Sequence, residues 1–192
     1  MKTFINPFEK YSELQLIITG ILFALLGGYL ATIFNGRFDG AIDLHFVKKV
    51  SFSQPFLDIL IAIVVLTILL YAAGKYINKK TRFVDILTTC LIAKIPFYFL
   101  VFFNINNTLY AMTEKLMSNL QNGGSLNLEF ADLSSVIAFS IITLIFLVWT
   151  VMLLYNGFKT ATNSKGIKHN MLFITALLVG EILSKILIST LN

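Results

Sequence analysis

Four charged residues fall where the surrounding sequence is oil. Glu181 and Lys185 stand in GEILSK, inside the last hydrophobic run, HNMLFITALLVGEILSKILISTLN. Lys94 stands in LIAKIP, with Pro96 two residues behind it, and Asp58 follows Pro55 at the head of another run. A charge at the bilayer centre costs at least ~2.5–3.5 kcal/mol on insertion scales, so such groups pair with one another or face water. Two chemistries fit. One is an ion-paired lock between helices; the other is a transporter- or channel-like polar site where Lys94 and Glu181 bind a solute or relay protons. Pro96 has no N–H, which frees the carbonyl of Ile92 one turn back and predicts a helix kink there.

The elements that carry these residues are membrane spans. Hydrophobic residues make up 57% of the 192-residue chain and charged ones 13%, against about 25% charged in a soluble domain. Five apolar runs, about 14–34, 55–77, 83–103, 133–158 and 170–191, each reach the length needed to cross a bilayer. Helix is the only state that satisfies their backbones in lipid. The expected fold is all-α: one membrane domain over 1–192, a bundle of five transmembrane helices. The opening MKTFINPFEKYSELQ reads as a cytoplasmic lead-in, not a signal peptide.

Positive charge orients the bundle. Lys2, Lys10, Lys75, Lys79, Lys80, Arg82, Lys159, Lys165 and Lys168 flank one set of helix ends; Arg37, Lys48, Lys49 and Lys115 flank the other. The richer side is cytoplasmic by the positive-inside rule. The expectation is a multi-pass protein of the cell (inner) membrane with its N-terminus inside and its C-terminus outside. Counting along the helices puts Lys94 and Glu181 at one depth, each about 16 Å from the inner side, and Lys185 about 6 Å further out. Asp58 also lies in the outer half. The expected pairs are Lys94 with Glu181 and Asp58 with Lys185.

Other features point to packing. Gly20, Ala24, Gly28 and Thr32 recur every four residues, a flat stripe for close helix approach within the subunit or across a dimer. Leu109, Met112, Leu116 and Leu120 outline a short amphipathic helix on the membrane surface. The alternation around Ile42, Leu44 and Phe46 suggests a short hairpin or an interfacial strand-like piece in the first connection, where Asp39, Asp43 and His45 read as solvated rather than as metal ligands. Cys90 is the lone cysteine, which excludes an intrachain disulfide or a thiolate cluster. No HExxH, GxSxG, P-loop or CxxC is present. No catalytic residue, cofactor, metal or nucleic acid is expected; the lipid bilayer, a second copy or other membrane proteins are the expected partners.

Two segments carry a resemblance. KTRFVDILTTCLIAKIPFYF (80–99) resembles the third-span region of the Yip domain family, and WTVMLLYNGFKTATNSKGIKHNMLFITALLVGEILSK (149–185) its closing pair of spans. The short opening NPFEKYS is similar to the bacterial branch. The resemblance implies a five-span, non-enzymatic membrane protein that works through helix and lipid contacts. These proteins are named for binding Ypt/Rab GTPases. The chain has neither the DLYGP-like motif nor the long N-terminal domain of eukaryotic members, so a Rab-type GTPase is not an expected partner.

Overall fold

The computed structural model describes residues 2–121 and 130–191. In chain order the helices are α1 (Lys2–Ile5), α2 (Glu13–Ile33), α3 (Gln54–Ile77), α4 (Phe83–Ala93), α5 (Ile95–Phe99), α6 (Thr108–Gln121), α7 (Phe130–Thr162) and α8 (Ile167–Leu191). Single 3-10 segments lie at Pro7–Glu9 and Leu100–Asn107. Five stretches are long and apolar enough to cross a membrane: α2, α3, the α4–α6 stretch, α7 and α8.

Helix boundaries follow local chemistry. The Ser12 hydroxyl accepts from the Gln15 N–H while the Gln15 side chain accepts from the Ser12 N–H, a capping box that starts α2. Asn35, at φ 52°, stops it in the left-handed conformation that asparagine tolerates. The fourth span runs further than its Asn156-Gly157 dipeptide suggests. Helix α7 passes through both residues and stops only at Asn163, φ 51°. Gly157 is a contact point instead: a Cβ there would come within 2.5 Å of Thr89 Cγ2 on α4.

Helix α4 lies at the centre, buried at Ile86 and from Thr88 to Ala93, with α2, α3 and α7 packed around it. Helix α8 packs on α3, where Gly180 meets Leu66. The small stripe on α2 is consumed inside the chain. A Cβ on Gly20 would stand 2.6 Å from Leu91 Cβ, and one on Gly28 would stand 2.6 Å from the Phe56 ring. Thr32 turns its hydroxyl back to the Gly28 carbonyl. Gly27, outside the stripe, lies against the Tyr98 ring. By contrast, one face of α7 (Ile137, Ile141, Leu144, Ile145 and Val148) is exposed and apolar, a surface suited to lipid or to another helix.

The connection between α2 and α3 is where the fold departs most from expectation. Strands β1 (Gly36–Arg37) and β2 (His45–Phe46) pair antiparallel, Gly36 opposite Phe46. Between them the chain does not project into solvent. Phe38 and Ala41 are fully buried, with 0% and 1% of their surface exposed. Asparagines clasp the base of this hairpin. Asn35 Nδ2 donates to Asn107 Oδ1, Asn107 Nδ2 to the Lys48 carbonyl, and buried Asn104 Nδ2 to the Phe34 carbonyl.

Candidate functional site

The buried connection meets every one of the four intramembrane charges. Lys94 is the single residue between α4 and α5, its backbone still right-handed at φ −75° and ψ −18°, with Pro96 in the first turn of α5. Its ammonium is 1% exposed and donates to the Gly40 carbonyl at 2.8 Å. It also lies 5.7 Å from the centroid of the Phe38 ring, a cation–π distance. Glu181, on α8, accepts from the Ile42 N–H at 2.8 Å. Both side chains therefore converge on the tip of the hairpin. Gly40 leaves room for that carboxylate: a Cβ there would come within 2.6 Å of Glu181 Oε2 and displace it.

Pairing differs from the depth count. Asp58 does not meet Lys185. It is fully buried and takes a bidentate bond from Arg37 of β1, 2.6 Å from Nε and 3.0 Å from Nη2. Lys185 pairs instead with Asp43 of the hairpin. Ser184, one turn beyond Gly180, accepts from the Ala41 N–H at 3.1 Å and donates to the Gly180 carbonyl. The acidic groups that bear on the Lys94 ammonium are Glu181, then Asp58 and Asp43. Glu181 is thus electrostatically coupled to Lys94 across Gly40, with backbone in between. Residue counts along the helices do not find these partners, because the count omitted a connection that folds back into the bundle.

Asp39 and Asp43 keep part of their side-chain surface exposed, 23% and 36%, and each is ion-paired as well. Asp39 contacts the His45 imidazole across the hairpin mouth. Burial pushes the Asp39 carboxyl up, but its hydrogen bond with His45 and the charges of His45, Arg37 and Lys185 outweigh that, so it stays below the usual carboxylate range. The guanidinium of Arg37 is held above its ordinary value, chiefly by its hydrogen bond to Asp58.

The site is therefore three cations and three anions, Arg37, Lys94 and Lys185 against Asp58, Glu181 and Asp43. Five of their contacts run through the hairpin. Arg37, Gly40 and Asp43 are the members that span counting missed. Their only signal was the alternation of charge and glycine in GRFDGAID. Chemically, the arrangement neutralises charge and joins α3, α4 and α8 through one loop. The Lys94 ammonium and the Asp58 carboxylate are both closed off from solvent. Among the described residues no group of three or more His, Cys, Asp or Glu side chains is placed to hold a metal.

These features define a polytopic helical membrane protein whose buried charges are satisfied by one of its own connections. A model of the Yip1 domain matches residues 9–184, and the chain belongs to that family. No curated protein and no solved structure matches it significantly.

Proposed function

We propose that this Yip1-family chain is a non-enzymatic membrane protein that organises membrane or serves as an adaptor, through helix and lipid contacts. The observation that carries this reading is the closure of the charge cluster. A transport path needs water at Lys94, yet that residue is 1% exposed and its ammonium is held against the Gly40 carbonyl. The cluster then acts as a lock that holds a fixed scaffold. The working surfaces are those left open, above all the apolar face of α7. In the cell membrane, positive-inside bias places the N-terminus in the cytoplasm and the C-terminus outside.

The test is crosslinking in native membranes. In a Cys90→Ser background, single cysteines at Ile141, Leu144 or Val148 are expected to give a defined adduct, to a second copy or to another membrane protein. Solute flux through liposomes carrying the parent chain is expected to match empty liposomes. Absence of adducts at all three positions, or flux abolished by Lys94→Met, would overturn the reading.

A further inference from the structure

At the end of the bundle that bears the N-terminus, two cavities adjoin. The first, about 210 Å³, is lined by Glu13, Asp85, Thr88, Thr89 and Thr160. The second, about 310 Å³, is lined chiefly by apolar groups, among them Phe4, Ile92, Pro96, Trp149 and Leu153. Tyr11 and Leu16 belong to both, so the two form one cleft with a polar mouth and an apolar floor. One wall is the N-terminal segment itself. It is pinned to α7 by the Trp149 indole N–H on the Phe4 carbonyl, 2.9 Å, and by Asn156 Nδ2 on the Ile5 carbonyl, 3.0 Å. The rim residues Gln15 and Thr19 of α2 are exposed.

We propose that this cleft binds an aminophospholipid of the phosphatidylethanolamine type, its acyl chain on the apolar floor and its ammonium at the polar mouth. Depth supports the tail. From Asp85 to Pro96 is eleven helical positions, about 16 Å, close to half of a hydrocarbon core about 30 Å thick. An apolar cleft at that depth gives water too few polar partners, and leaving it empty forfeits the dispersion contacts of its walls. In a bilayer an acyl chain is the group at hand to fill it.

Mouth chemistry selects the head. Thr88 and Thr89 donate their hydroxyl protons to the Val84 and Asp85 carbonyls, 2.7 and 2.8 Å. Their oxygens are left as acceptors. Glu13 and Asp85 add two carboxylates against one shared guanidinium, Arg82. The places of Glu13 and Asp85 in the first turns of α2 and α4 account for their charge. They do not account for the acceptor-lined cavity between them. An acceptor-rich mouth whose charged lining groups are two carboxylates is complementary to a primary ammonium, with the lipid phosphate reaching toward exposed Arg82 and toward Lys10, whose ammonium lies 5.4 Å from the Tyr11 ring. A glycerol head lacks the cation, and a choline head has no N–H to donate.

The experiment uses the full chain in nanodiscs of phosphatidylethanolamine, phosphatidylglycerol and phosphatidylcholine in equal parts with matched acyl chains. Native mass spectrometry then reads the retained lipid. Ethanolamine lipid is expected to be enriched about tenfold over the other two, the scale of one charge-assisted contact. Thr19→Trp, an exposed substitution that fills the rim, should lower total retained lipid. Asp85→Asn, which keeps the Arg82–Glu13 pair, should remove the head preference while leaving total lipid unchanged. Retained lipid that mirrors the nanodisc composition, or enrichment that survives both substitutions, would overturn the proposal.

Discussion

Arg37 and Asp58 show how buried charge behaves at the scale of single residues. The carboxylate is fully buried and the guanidinium nearly so, with 12% of its side chain exposed. Removing one member of such a pair costs ~3–5 kcal/mol because the other is stranded, while replacing both with apolar groups is often neutral. Arg37→Met should therefore unfold at clearly lower temperature in detergent than the parent, and Arg37→Met with Asp58→Leu should recover most of the loss. Asp39 gives the hairpin a pH dependence. Its carboxyl is lowered on folding, so its stabilising contribution is fully present above the ordinary value of 3.8 and is lost as pH falls through the lower, folded value. Melting temperature should drop over that acidic window, and Asp39→Asn should flatten the drop. The charged residues deep in the spans were legible as a set, since the only other charged side chains in those runs, Lys75 and Asp85, stand within a few residues of a run's end. Their partners were not. A backbone carbonyl such as that of Gly40 has no signature in a sequence, and a depth count pairs helix with helix by construction.

At the scale of elements the spans were plain and the connections were not. Five apolar runs needed only length and composition. The hairpin at β1 and β2 was indicated by its alternation, but alternation says nothing of which way the strands fold. The inward turn is fixed by Phe38 under Tyr98, with ring centroids 5.5 Å apart, and by Ala41 against Ser184. Glycine spacing was similarly half informative. Gly20 and Gly28 mark close approach, but to α4 and α3 of the same chain, while Gly157, in an Asn-Gly pair that often ends a helix, is a helix contact. A cysteine placed at Ala41 should resist a membrane-impermeant maleimide in the parent background. The same cysteine should become reactive when Lys94→Met removes the ammonium that holds Gly40. Labelling equal in the two backgrounds would show that the hairpin is seated without it.

For the whole molecule, Yip1-family membership and five apolar helices make a multi-pass membrane protein. The orientation is a prediction of charge bias alone. Alkaline phosphatase fused after Leu191 should be active in a bacterial host, and the same enzyme fused in the connection between α3 and α4 should be inactive. The reverse pattern would invert the bundle. It would put the closed charge cluster on the cytoplasmic half and the lipid cleft on the other leaflet.

Seating of the hairpin also imposes an order on biogenesis. Arg37 finds Asp58 only 21 residues later, Lys94 follows Gly40 by 54, and Glu181 follows Ile42 by 139. At the usual ~5–20 residues per second of synthesis, the last partner emerges about 7–30 s after the first strand. Until then the loop is held by Asp58 and then by Lys94, and Lys94 enters the bilayer before its distant counter-charge exists. Helix α8 thus completes the electrostatics of the cluster, so the hairpin is not fully seated until that helix has been made.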